Sequence, residues 1–276
     1  MSAPRLFDRD ALLAHRARAG GADPGALFLH REARDEVEER LRDVNRTFTD
    51  PAVVTGHPGE WDLPGATVVP DDPVLALEEG AHDLVVHAMA LHWADDPVGQ
   101  LIQCRRALRP DGLLLVATLG GETLSELRAA LAEAEARVAG GLSPRVAPMG
   151  EIRDLGALLG RAGLALPVAD ATTRTVRYRD LPHLVGDLRA MGETSALRGR
   201  RPASRHLIAE AARIYRDAFP DGDGIRATFQ TVFLTGWAPH ESQQTPLRPG
   251  SARARLADAL KVPEVSLNDP PAGGTR

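Results

Sequence analysis

The run His82-Asp83-Leu84-Val85-Val86-His87-Ala88-Met89-Ala90-Leu91-His92-Trp93 constrains the fold most, because it reads as a buried strand ending in a polar pair. A helix follows it: Asp96 can cap the first turn and Pro97 suits the first helical position. Val98, Leu101, Ile102 and Leu108 share one face, Arg105, Arg106 and Arg109 complement the helix dipole, and Arg109-Pro110-Asp111-Gly112 closes the helix. Leu113 to Leu119 is then a second apolar strand. A strand-helix-strand unit of this kind implies a parallel sheet, and open parallel sheets bind ligands beyond the carboxyl ends of their strands. His92, Trp93, Gly120, Gly121 and Glu122 fall at that edge.

Around this unit the chain divides into three parts. Residues 1–50 form a polar, helical N-terminal segment in which Phe28, Leu29, Ala33, Val37, Leu41 and Val44 fall near helical spacing. Residues 51–245 carry the sheet, with a helical insert at about 181–219 before a last strand, Thr228 to Trp237. Residues 246–276, rich in Pro, Gly and charge, are expected to be a flexible tail. Short strands are expected at Ala52 to Thr55 and Ala66 to Val69, and a short helix from Asp71 through Glu78. Thr123 and Glu126 have the spacing of a capping box for a helix running to about Val138. The strands at Ala52 and Ala66 are separated by a Pro- and Gly-rich stretch too short for a crossover helix.

Composition narrows the function classes. A formal net charge of -5 gives no basic footprint for nucleic acid, and Lys261 is the single lysine beside many arginines. Cys104 is the one cysteine, so neither an internal disulfide nor a cysteine metal cluster is available, which fits a cytoplasmic location. No apolar run reaches the roughly 20 residues of a membrane helix. Hydrolase elbows, phosphate loops and zinc spacings are absent from the sequence.

In combination, Leu6-Phe7-Asp8-Arg9, Asp83 to Trp93, Leu108 to Gly112, Gly120 to Arg128, Gly141 to Pro144, Asp154 to Leu159, Asp187 to Glu193, and Gly236-Trp237 with His240-Glu241-Ser242-Gln243 resemble one branch of the class I S-adenosylmethionine-dependent methyltransferases. That branch holds the mitochondrial complex I assembly factor, described both as a methyltransferase and as an arginine hydroxylase, with its alphaproteobacterial relatives. The resemblance implies an α/β, Rossmann-like sheet with a shortened first βαβ unit, N-terminal helices and a helical insert. It also implies S-adenosylmethionine as cofactor, a protein side chain as substrate, arginine being a plausible one, and a respiratory complex I subunit as partner. Val54-Thr55-Gly56-His57-Pro58-Gly59-Glu60 replaces the glycine-rich turn usual in such enzymes, so a non-catalytic assembly protein with a degenerate cofactor site stays open. A carrier methyltransferase of the biotin-pathway type, which shares Leu91-His92-Trp93, is the other alternative.

On this resemblance Gly56, Gly59, Asp71, Met89 and Leu91 are the candidate cofactor contacts, with Asp71 either gripping a ribose diol or capping a helix beside Asp72. His92, Trp93 and Glu122 are the candidate catalytic residues: an imidazole to accept a proton, an indole to wall a pocket or face a cation, and a carboxylate to fix a guanidinium. Each also has a plain structural reading, as a sheet-edge cap, a partner of a loop carbonyl or part of a strand-to-helix turn. His87 is expected to be a packing residue, and Arg128 and Glu193 either line the cleft or end helices in solvent. No metal site is expected: His92, Asp95 and the His240-Glu241 pair have the right chemistry, but the last strand should carry the pair away from His92.

Overall fold

The computed structural model describes residues 5–20 and 24–244. The chain forms two units, Met1–His240 and Glu241–Arg276, and of the second only a short turn region at 241–244 is described. The tail at 246–276 lies outside the described residues. Everything below concerns the first unit.

Its seven strands are β1 (Pro51–Thr55), β2 (Thr67–Val69), β3 (His82–Ala88), β4 (Leu108–Leu119), β5 (Ala165–Tyr178), β6 (Pro220–Asp221) and β7 (Gly224–Trp237). They make one sheet in the order β2-β1-β3-β4-β7-β5, with β6 paired to β7. The pairs β2/β1, β1/β3 and β3/β4 are parallel; β4/β7 and β7/β5 are antiparallel. The seven helices are α1 (Arg9–Ala19), α2 (Phe28–Asp43), α3 (Pro97–Ala107), α4 (Ser125–Ala139), α5 (Ile152–Arg161), α6 (Leu181–Ala190) and α7 (Arg205–Ala218). This is the expected Rossmann-like α/β sheet with N-terminal helices and a helical pair ahead of the last strand.

Strand alternation splits the core into two layers. Val53, Leu84, Val86, Leu113 and Leu115 face α2, α4, α6 and α7, whereas Ala52, Val54, Val85, Leu114 and Val116 face α3 and α5. Both faces of the central strands are covered, which is why β1 and β3 are buried at every position. Asp96 caps α3 as expected, its carboxylate accepting from the Gly99 amide at 2.8 Å, with Pro97 at the first helical turn.

Four local expectations are corrected. His82 to Trp93 is not one strand: Met89 has φ 49°, a left-handed conformation that breaks the extended run, and Leu91–Trp93 forms a 3₁₀ turn. Residues 71–78 form no helix; Asp71 is instead drawn into ion pairs with Arg9 and Arg16. Arg109–Gly112 is an irregular start to β4 rather than a separate turn, with Asp111 at φ 62° and a register shift opposite His82 and Leu84. The capping box does not form, because Thr123 exchanges hydrogen bonds with the Gln230 backbone and the Glu126 carboxylate accepts from the Thr228 amide and hydroxyl. The link between β1 and β2 has only a 3₁₀ turn at Pro58–Glu60, confirming that no crossover helix fits there, and the two strands still pair in parallel.

Candidate active site

The 3₁₀ turn at Leu91–Trp93 presents two side chains toward the loop that follows α6. His92 Nδ1 accepts from the Leu119 amide at 3.4 Å and lies 3.2 Å from Thr118 Oγ1. An amide can only donate, so the neutral ring carries its proton on Nε2, which donates to Glu193 Oε2 at 3.3 Å. Trp93 Nε1 donates to the same oxygen at 2.6 Å, and the edge of Phe7 packs against the indole with ring centroids 5.2 Å apart.

Glu193 is held by the way α6 ends. Gly192 takes φ 77°, its amide bonds Arg189 O, and the Glu193 amide bonds Leu188 O at 2.9 Å, which together make a Schellman motif. That motif usually places an apolar side chain where Glu193 stands. Here a carboxylate occupies the position with a side-chain exposure of 9%. Burial works to raise its pKa, but His57, His92 and Arg16 outweigh burial and hold it well below the usual range, so Glu193 is ionised.

His57 approaches from the other side. Its amide donates to Thr55 Oγ1 at 3.1 Å, and its Nε2 faces Glu193 Oε1 at 3.7 Å. Neither of those facing atoms has a hydrogen-bond partner. His30, from α2, packs against His57 with ring centroids 4.4 Å apart and the planes tilted by 54°, and accepts the Trp61 indole N–H on Nδ1 at 3.1 Å. Burial, with the neighbouring His57, pushes the His30 pKa down to about 3, so the ring is neutral.

A cavity of about 860 Å³ opens beside this cluster, walled by Trp93, Leu119, Leu127 and Phe229 and by Leu188 and Ile208 of the helical insert. Glu193 is the one carboxylate on its wall, among the described residues, while exposed Arg18, Arg189, Arg200 and Arg201 also line it.

The candidate residues therefore divide. His92 and Trp93 meet at Glu193, and Trp93 lines the cavity. Glu122 does not join them: it is exposed, and its nearest partners are Gln230 and Thr173. Gly120 and Gly121 face the side chains of Gln230, Val232 and Glu151 rather than open space for a ligand. Met89 and Leu91 are 2% exposed and line neither cavity. His87, fully buried, lies 2.7 Å from Gln100 Oε1 and is the packing residue expected of it. His240 follows the end of β7 that pairs with Leu113, away from the β4 end that His92 touches, so His92 and His240 do not meet. Sequence reasoning missed His30, His57 and Arg16 and underrated Glu193; the Gly192-Glu193 pair at a helix end was the available signal for the last.

The candidate cofactor cradle is a second hollow of about 400 Å³ bounded by Arg9, Arg16, Thr55, Gly56, Val69 and Asp71. Arg16 Nη1 donates to both Asp71 oxygens at 2.9 Å, and Arg9 Nη2 donates to Oδ1 at 2.8 Å. A Cβ on Gly56 would overlap the Arg16 guanidinium, and Gly59 faces open space. Arg16 covers both Gly56 and Asp71, so a ligand would reach these two candidate contacts only if that guanidinium moved.

Comparison with known proteins decides the family. Residues 61–116 match the family model described as a methyltransferase domain. The arginine-hydroxylase NDUFAF5, mitochondrial, of Danio rerio is 37% identical over 265 residues, covering 85% of this chain and 83% of the fish protein. The chain belongs to the NDUFAF5 family. The Homo sapiens NDUFAF5 is 37% identical over 205 residues, which is 74% of this chain and 59% of the human protein. A malonyl-[acyl-carrier protein] O-methyltransferase of Xylella fastidiosa is 31% identical over 187 residues, 67% of this chain and 61% of that one. Among solved structures the YcgJ protein of Bacillus subtilis overlays with a TM-score of 0.47 at 11% identity, covering 74% of this chain and 98% of its own. No helix among the described residues is long and apolar enough to cross a membrane.

Proposed function

We propose that this NDUFAF5-family protein modifies an arginine side chain of a respiratory complex I subunit during assembly, and that the modification is hydroxylation. One observation carries the reading: the apolar cavity under the helical insert meets a buried, ionised Glu193 that is clamped by Trp93 and His92. Apolar walls take the methylenes of a long side chain, the Trp93 ring offers a face to a cation, and the cluster at Glu193 is the polar place where chemistry can occur. Relatives named as arginine-hydroxylases support the reaction type. Hydroxylation replaces one carbon-bound hydrogen by a hydroxyl group; dioxygen supplies the oxygen atom, and a two-electron donor reduces the other oxygen to water.

Methyl transfer from S-adenosylmethionine is the second reading, favoured by the methyltransferase-domain match and by Gly56 and Asp71 lining one hollow. It requires Arg16 to leave the cradle. A cytoplasmic, reducing location is part of the proposal, because the lone cysteine, Cys104, leaves no internal disulfide to form.

The test is mass spectrometry of arginine-bearing peptides from the candidate subunit, after incubation with the protein, dioxygen and a reductant, or with S-adenosylmethionine. A gain of one oxygen atom is expected. A gain of one methylene group replaces the first reading with the second, and unmodified peptide that still binds leaves a non-catalytic assembly role.

A further inference from the structure

We infer that His30, His57 and Glu193 form a binding site for a divalent transition-metal ion of the iron(II) class, beside the wall of the larger cavity. The inference goes beyond the proposed arginine hydroxylation and stands on the trio alone. One ligand atom from each residue can be chosen so that all three lie within 4.8 Å of one another. They come from three separate places in the chain: the first turn of α2, the loop after β1 and the C-terminal motif of α6.

The state of these atoms argues for a ligand. His57 Nε2 and Glu193 Oε1 face each other at 3.7 Å on side chains that are each 9% exposed, and neither makes a hydrogen bond. Leaving a buried polar atom without a partner costs about 1–3 kcal/mol, and here two such atoms converge. A metal ion with bonds of about 2.1 Å to nitrogen and oxygen spans such a separation at a wide angle. Two imidazoles and one carboxylate also make up the donor set that leaves positions open on non-haem iron(II).

The surrounding groups fix the donors. Glu193 uses Oε2 for Trp93 and His92, which leaves Oε1 directed at His57. Partners of this kind orient ligands and are typically worth about 10–100-fold in metal affinity. Glu193 is also the member of the trio that lines the cavity, so a bound ion would adjoin the space available to a substrate.

Trp61 supplies a specific consequence. Its indole N–H donates to His30 Nδ1. If the metal binds Nδ1, that lone pair is taken; if it binds Nε2, the neutral ring must carry its proton on Nδ1, which then faces another donor. Either way the Trp61 bond is lost when the metal enters.

The test uses tag-free, full-length protein under anaerobic conditions, titrated with cobalt(II) as a spectroscopic stand-in and with iron(II), and followed by calorimetry, visible absorption and tryptophan emission. Expected are one ion per chain, a change in emission, and affinity at least about 100-fold weaker in Glu193→Gln and His57→Ala. Trp61→Phe should bind as tightly as wild type or more tightly, because the competing donor is gone. Should His57→Ala fail to give a native circular dichroism spectrum, His57→Asn takes its place. No saturable binding, or binding equally tight in the His57 and Glu193 variants, overturns the inference. Metal binding without peptide hydroxylation would overturn the proposed function and leave this site standing.

Discussion

Arg16 and Asp71, 55 residues apart, form a buried pair in which one guanidinium nitrogen donates to both carboxylate oxygens at 2.9 Å. That guanidinium also covers Gly56, so a single side chain from α1 closes both Gly56 and Asp71, the two positions that the methyl-transfer reading would give to a cofactor. Replacing Arg16 by alanine opens the cradle and leaves Asp71 with Arg9 alone. Losing one partner of a buried pair costs about 3 kcal/mol, so the variant should melt lower. Against that lower baseline, S-adenosylmethionine should raise the melting temperature of Arg16→Ala by more than it raises that of wild type. Equal, zero shifts in both proteins would show that the cradle does not bind it.

The same pair makes an acid-sensitive lock. Burial acts to raise the Asp71 pKa, but Arg9 and Arg16 together outweigh burial and lower it from 3.8 to about 2. A carboxyl depressed in the fold stabilises it above the unfolded value, and that contribution is lost as pH falls through the folded value. The window therefore runs from about pH 4 down to about pH 2, and the contribution is on the order of 2 kcal/mol. Denaturant melts of wild type across this range should fall more steeply than those of Asp71→Asn, which has no proton to take up. Parallel slopes would remove Asp71 from the account.

Trp93 is expected to act through its N–H rather than its bulk. Trp93→Phe keeps an aromatic ring beside Phe7 but removes the donor 2.6 Å from Glu193 Oε2. Leaving a buried carboxylate short of one strong hydrogen bond should cost about 1–3 kcal/mol in stability. Because the rotamer of Glu193 also loses a constraint, peptide modification should fall further than stability does, read as kcat against a circular dichroism melt. A variant with full activity would limit Trp93 to packing.

Much of the fold was legible because its signals are local and periodic. The apolar runs of β1, β3 and β4, the Asp96-Pro97 start of α3 and the shortened β1 to β2 link all follow from near neighbours in sequence. The site was less legible because tertiary partners override local rules there. Thr123 and Glu126 have capping-box spacing, yet both are spent on β7, and Leu124 takes φ 54° at the start of α4 instead. Asp71 reads as a helix cap until two arginines from α1 reach it. His92 and Trp93 were found by their place at a strand end, whereas His30, His57 and Glu193 meet only through folding, and no spacing in sequence connects them.

The cavity's electrostatics predict what kind of peptide enters. Arg18, Arg189, Arg200 and Arg201 line it and are exposed, and none takes part in the ion pairs found among the described residues. The chain as a whole carries a formal charge of -5, so this concentration of cations at one cavity is local. A bare arginine peptide would be repelled on approach, while one whose target arginine is flanked by Asp or Glu would be drawn in, with the flanks held outside and the long side chain in the apolar interior. Exposed charges act mainly on encounter and are screened over about 8 Å at physiological ionic strength. Raising salt should therefore raise KM for an acidic-flanked peptide while kcat stays nearly constant. The double substitution Arg189→Glu with Arg201→Glu should raise KM at least about tenfold at low salt and abolish the preference for acidic flanks, because the two new carboxylates balance Arg18 and Arg200. Both substitutions lie on exposed side chains, and the double variant should melt within a few degrees of wild type. If the preference for acidic flanks survives the double substitution, the arginines do not select the substrate, and recognition must reside deeper, at Trp93 and Glu193.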